Sequence, residues 1–130
     1  IAGVADRILF YTASDAGSYA KGRADLERWL GDPNTQQERM TNTSPLYRYD
    51  AIKVPVMLAH GLEDRRVDYE HTRRMLRMLD MAGNPPVGLS FAGEGHGFAD
   101  VDHRAALWSG VAGFLQAHLA AGAPPQAGTP

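Results

Sequence analysis

The sequence predicts an α/β fold of about three parallel strands flanked by helices, on three observations. The segment VPVMLAHG, residues 54–61, is apolar on both faces, as a strand covered by helices on both sides is. A helical pattern, a second short strand and another helical pattern follow it, and this alternation implies a parallel sheet with right-handed crossovers. With 44% hydrophobic and 22% charged residues, the 130-residue chain has ordinary globular composition and enough apolar material for a core.

The first six residues, IAGVAD, are small and apolar and read as a buried strand cut at its edge. RILFYTASDAGSYAKG, residues 7–22, carries aromatics at Phe10, Tyr11 and Tyr19 without a sustained period, and reads as a long loop with some helix. GRADLERWL, residues 22–30, places Leu26, Trp29 and Leu30 on one helical face, and Gly31 stops the helix. Asp32 followed by Pro33 has the pattern of an N-cap with proline in the first turn, so a short second helix to about Met40 is expected. TNTSP then punctuates the chain. After the strand at 54–61, Asp68 is placed to cap a helix over residues 69–82. Its apolar stripe is Thr72, Met75, Leu76, Leu79 and Ala82, and Gly83 ends it. PVGLSFAG, residues 86–93, is the next strand. Val101, Ala105, Trp108, Val111, Ala112, Leu115 and Leu119 define a final helix. The tail AGAPPQAGTP, residues 121–130, is low in complexity and expected to be disordered.

Composition narrows the function classes. A formal charge of -2 gives no electrostatic case for nucleic acid or an anionic membrane as partner. Five of the arginines fall between Arg65 and Arg77, but Asp68, Glu70 and Asp80 stand among and beside them, which describes a solvated helix face. The absence of cysteine excludes disulfides, thiolate nucleophiles and thiolate-bound metals. No apolar run approaches the roughly 18 residues of a membrane span, and the N-terminus lacks the residue order of a signal peptide. Compartment stays open between cytoplasmic and exported. No pair of histidines has the H-E-x-x-H spacing, so a metal site is not expected.

Parallel α/β sheets carry functional groups in the loops at the C-terminal ends of their strands. Two such loops are readable: HGLEDRRV after the first strand, offering Asp64, and GEGHGF after the second, offering His96. Both side chains therefore emerge at the same sheet edge. A carboxylate beside a histidine fixes the ring's tautomer and stabilises the imidazolium formed when the other nitrogen takes a proton. Gly93, Gly95 and Gly97 permit unusual backbone angles and close approach of another loop. His96 thus reads as a general base and Asp64 as its acid partner, with Glu63 the alternative acid. The plain alternatives are a loop cap for Asp64 and a structural loop histidine for His96. His60, ending a strand, reads as a satisfied structural histidine. His71, His103 and His118 lie at helical positions and read as surface or boundary residues.

The ordered pattern has a further meaning. HG-x-x-D-x-x-V, here His60-Gly61 to Asp64 to Val67, followed 32 residues after the aspartate by GEGHGF, resembles the C-terminal part of α/β-hydrolases. More narrowly, it resembles the catalytic domain of prolyl oligopeptidase-family serine peptidases of the acylaminoacyl-peptidase and dipeptidyl-peptidase kind. GDP at 31–33, TSPL at 43–46 and IKVPVMLAHG at 52–61 resemble that family in the same order, and the likeness covers residues 1–120. It implies the C-terminal half of an α/β-hydrolase fold over these residues, with Asp64 as the triad acid and His96 as the base.

In such enzymes the serine stands on a G-x-S-x-G elbow ahead of the acid and the base. This sequence contains no complete G-x-S-x-G. GLSFA, residues 88–92, has Ala92 where the second glycine belongs, and Ser90 falls inside a strand and after Asp64. Ser44, in TSP, reads as a turn or helix-cap residue. Ser14, Ser18 and Ser109 have no supporting context. The resemblance therefore implies a nucleophile upstream of Ile1, with the oxyanion hole and any N-terminal propeller. Its implied activity is hydrolysis of peptide bonds in oligopeptides through an acyl-enzyme, without a cofactor. Its implied partners are a peptide substrate and the serine-bearing N-terminal half, with a homo-oligomer as a further arrangement. The alternatives are a carboxylesterase or dienelactone-hydrolase-like enzyme, or a non-catalytic assembly module when isolated. The 130 residues alone are expected to be inactive.

Overall fold

The computed structural model describes residues 1–119, so the expectation for the tail falls outside the described residues. Two strands, β1 (Met57–Gly61) and β2 (Val87–Phe91), pair in parallel, in register from Met57 opposite Val87 to Gly61 opposite Phe91. The crossover between them is helix α4 (Glu70–Met81), and helix α5 (Val101–Leu119) follows β2. Ahead of the sheet come three shorter helices, α1 (Arg7–Ala13), α2 (Ala20–Leu30) and α3 (Gln37–Asn42).

The apolar reading of β1 on both faces holds. Leu58 and Val56 pack on a cluster of Ala5, Leu46, Met75 and Leu79, which α4 contributes to. Ala59, on the opposite face, packs with Phe91 and Leu107 of α5. Helices therefore cover both sides, and alternation along the strand sends successive residues to each. At the start of α4, Asp68 accepts a hydrogen bond from Glu70 N–H at 2.8 Å, as a capping aspartate does.

The described sheet has two strands rather than about three, because IAGVAD forms no strand. The Val56 carbonyl receives the Val87 N–H and the Leu62 N–H reaches the Phe91 carbonyl, so even-numbered residues of β1 turn their backbone groups to β2. Odd-numbered Ala59 turns its own to the opposite edge, where its carbonyl accepts the Ala2 N–H at 2.8 Å. That bond places the N-terminal segment at the third-strand position. Ala2 has a φ of +45°, outside the range of a strand, and the ladder does not continue.

Residues 7–22 are more helical than expected. Asp6 caps α1 by accepting from the N–H groups of Ile8 and Leu9, and Ser14 caps a short 3-10 turn through Gly17 N–H. In α2, Leu26 is buried but Trp29 is 71% exposed, so the helix packs on a narrower face than Leu26, Trp29 and Leu30 together define. Asp32 holds a turn through Asn34 and Thr35, and α3 starts only at Gln37. In α5 only part of the predicted stripe faces the sheet: Val111 packs on the cluster of Ala59, Phe91 and Leu107. Leu107 is buried there, while Val101, Trp108, Leu115 and Leu119 are exposed, Trp108 at 59%.

His71 corrects another expectation, because it is buried. Its Nδ1 accepts the backbone N–H groups of Ala5 and Asp6, each at 3.3 Å, donors left unpaired where the N-terminal segment leaves the sheet edge. Burial pushes its pKa below the ordinary histidine value, which favours the neutral, accepting ring.

Candidate active site

Because β1 and β2 end in register, the loops that follow them start side by side. Leu62 N–H donates to the Phe91 carbonyl and Glu63 N–H to the Glu94 carbonyl, each at 2.9 Å, so the two loops are joined backbone to backbone. This approach requires glycine at position 61. A Cβ there would lie 2.3 Å from the Glu94 carbonyl oxygen and 2.4 Å from that of Gly95. Of the glycines around His96, Gly93 alone has a positive φ, +76°, while Gly97 has open space around it. The close contact thus lies at Gly61, on the aspartate's side, rather than at the glycines flanking the histidine.

Asp64 is buried at the centre of this junction. Its Oδ1 accepts from the N–H groups of Arg66 (2.9 Å) and Val67 (3.0 Å). Its Oδ2 lies 2.9 Å from Nδ1 of His96. Burial alone would push the carboxyl up, but the Val67 N–H, His96 and the Arg66 N–H outweigh it and hold Asp64 below the usual carboxylate range. A carboxylate can only accept, so Nδ1 of His96 carries the proton and Nε2 is the ring's basic nitrogen. The side chain of His96 is 41% exposed against 0% for Asp64, so the pair consists of a sequestered anion and an accessible imidazole.

Glu63, the alternative acid, is exposed, and His96 bonds to Asp64. His60 is fully buried and satisfied. Its Nε2–H donates to the Val67 carbonyl at 2.7 Å, which leaves Nδ1 to accept from the Thr72 hydroxyl at 2.6 Å. The same Nε2 stands 3.2 Å from Oδ2 of Asp64, so two histidines converge on one carboxylate oxygen.

The serines fall as follows. Ser44 is fully buried, accepts from Arg7 N–H at 2.9 Å and donates to the Met40 carbonyl at 2.6 Å, so its hydroxyl is committed to the fold. Ser90 lies within β2 opposite His60, not at a strand-to-helix turn. Among the described residues no three His, Asp or Glu side chains gather as a metal site would require, and no helix is long and apolar enough to cross a membrane. One residue of this junction had no place in the sequence reading. Glu94 is almost wholly buried, and its carboxylate accepts from Ala99 N–H, Asp100 N–H and Nδ1 of His103. The only trace it leaves in the sequence is its place inside GEGHGF.

Comparison with known proteins gives the family and the fold. The family model "Prolyl oligopeptidase family" matches residues 1–122. Dipeptidyl aminopeptidase BIII from Pseudoxanthomonas mexicana is 32% identical over 102 residues, which are 77% of this chain and 15% of that protein. Among solved structures, a puromycin-hydrolyzing peptidase from Mycobacterium tuberculosis superposes with a TM-score of 0.83 at 25% identity, over 97% of this chain and 18% of its own. A puromycin hydrolase superposes at 0.79 with 28% identity, over 95% and 19%. The 130 residues therefore span less than a fifth of these relatives, and the fold is that of the α/β-hydrolase peptidases. The match of that family model over residues 1–122 makes this chain a member of the prolyl oligopeptidase family.

Proposed function

We propose that the protein containing these residues is a serine-type peptidase acting on oligopeptides, with Asp64 as triad acid, His96 as base and the nucleophilic serine outside these 130 residues. The observation that carries the reading is the 2.9 Å contact between Nδ1 of His96 and Oδ2 of Asp64. In the first half-reaction Nε2 of His96 takes the serine proton as the oxygen attacks the scissile carbonyl. The imidazolium then gives that proton to the leaving amine, and an acyl-enzyme remains. In the second half a water takes the serine's place, and the same ring deprotonates it and returns the proton to the serine. Asp64 stays ionised throughout, keeps the ring in the Nδ1–H tautomer and stabilises the imidazolium. The partners in this reading are the peptide substrate and the serine-bearing half of the same protein. Isolated, the 130 residues are inert.

The test is His96→Ala in the full-length protein, assayed on a chromogenic peptide with folding checked by circular dichroism. Near-complete loss of turnover is expected. A well-folded variant with near-normal turnover overturns the assignment.

A further inference from the structure

We propose that Glu94 is the positioning residue for His96: its buried carboxylate closes the loop on which His96 stands. The inference rests on His96 being the base. Its starting point is a cost. A carboxylate whose side chain is only 3% exposed is unfavourable unless its oxygens are hydrogen-bonded. Here every donor comes from the far side of the histidine. Oε2 accepts from Ala99 N–H at 2.8 Å, and Oε1 from Asp100 N–H at 3.0 Å and from Nδ1 of His103 at 2.9 Å. The carboxylate therefore ties residue 94 to residues 99, 100 and 103, with His96 inside the ring so formed.

The backbone of the same residue holds the other side. Its carbonyl accepts Glu63 N–H at 2.9 Å, next to Asp64. Glu94 thus joins the acid's loop through its main chain and the first turn of α5 through its side chain. Between these two anchors runs Gly95-His96-Gly97, the backbone with least conformational restriction of its own. Phe98, packed edge-on against Phe91 at 5.1 Å, is the other fixed point. Helix capping does not account for Glu94, because α5 has its cap: Oδ1 of Asp100 accepts from the N–H groups of Asp102 and His103. What Glu94 adds is a fixed path for the loop, and with it the direction in which Nε2 of His96 is presented.

The experiment uses the full-length enzyme with Glu94→Ala, Glu94→Gln, His103→Ala and His96→Ala, and reads KM and kcat per active site titrated with a fluorophosphonate. Loss of the clasp is expected to lower kcat per titrated site by 10- to 100-fold, on the order of the cost of a misplaced base, with KM changed less than about twofold. Glu94→Gln, which keeps one acceptor oxygen, is expected to recover part of the loss, and His103→Ala, which removes one donor, to lose less than Glu94→Ala. If Glu94→Ala does not fold, the isosteric Glu94→Gln carries the test with the same kcat-only pattern. A folded variant with kcat per site within about twofold of the parent overturns the proposal, even if fewer sites titrate, because the residue is then merely structural. Normal turnover in His96→Ala removes the triad reading itself, whereas an inactive His96→Ala beside a normal Glu94→Ala removes only the role of Glu94.

Discussion

Oδ2 of Asp64 and Nδ1 of His96 stand 2.9 Å apart although 32 residues separate them in the chain. The contact exists because β1 and β2 are parallel and end in register, so the loops leaving them meet at one sheet edge. Glycine at position 61 lets those loops touch backbone to backbone. The backbone donors of Arg66 and Val67 keep the carboxylate ionised while the fold removes it from water.

Asp64→Asn in the full-length protein should lower kcat on the order of 10⁴-fold with little structural change, because an amide can stabilise the wrong tautomer of the ring. The measurement is turnover of a chromogenic peptide by the purified variant. A loss smaller than about tenfold contradicts a triad role for Asp64.

Gly61→Ala should force the two loops apart, since the new methyl meets the carbonyl oxygens of Glu94 and Gly95, neither of which is the end of a flexible side chain. A cost of about 1–3 kcal/mol is expected from such overpacking, together with reduced turnover. Gly97→Ala is the control: it has open space and no positive φ, so its stability should stay within about 0.5 kcal/mol of the parent. Thermal melts of the two variants decide, and equal effects would show that the crowding at position 61 is relieved elsewhere.

Fluorophosphonate labelling followed by peptide mapping should modify the full-length protein outside these 130 residues and leave the separately produced chain unlabelled. Stoichiometric labelling at Ser44 or Ser90 would place the nucleophile within this chain after all.

Glu70 is held at a pKa of about 2, against an ordinary 4.5, first by its hydrogen bonds to Arg73 and Arg74. A carboxylate depressed on folding stabilises the fold above its unfolded pKa and loses that contribution as pH falls through the folded value. The window therefore runs from 4.5 down to about 2. Both arginines are largely exposed, so solvent screening limits the effect to about 1 kcal/mol or less. Glu70→Gln should lower the melting temperature slightly at pH 7, and the difference should shrink as the pH is taken from 5 toward 3. A difference that widens on acidification contradicts the ion pairs.

The separately produced 130 residues should self-associate or stay bound to the serine-bearing half. Among the described residues, nothing covers the apolar stripe of Val101, Trp108, Leu115 and Leu119 on α5, and the β1 edge at Ala59 bonds to Ala2 alone. At about 25 cal/mol per Å² of apolar surface, several hundred Å² left in water is comparable to a domain's whole net stability. Sedimentation at low micromolar concentration is the measurement. A cooperatively melting monomer would show the chain to be self-sufficient.

The sequence by itself determined the elements whose signal is local or carried by ordered motifs. β1, shorter than the predicted 54–61, was legible because VPVMLA is apolar on both faces and a turn follows at Gly61. α4 was legible from a stripe of period 3.6 between Asp68 and Gly83. The meeting of Asp64 and His96 was legible because each follows a strand, and parallel strands bring such loops together. The tertiary structure decided whatever depends on a partner distant in the chain. A run of small apolar residues such as IAGVAD cannot state whether a neighbouring strand edge is free to pair with it, and here a single bond to Ala59 is made. The stripe of α5 marks an apolar face but not what covers it, so Trp108 lies in the open while Leu107 is buried. His71 passed for a surface or boundary residue because the N–H groups that it satisfies, at Ala5 and Asp6, lie more than sixty positions away. Glu94 carries a charge that local pattern assigns to solvent, and only the return of the chain at Ala99, Asp100 and His103 supplies the donors that make its burial tolerable.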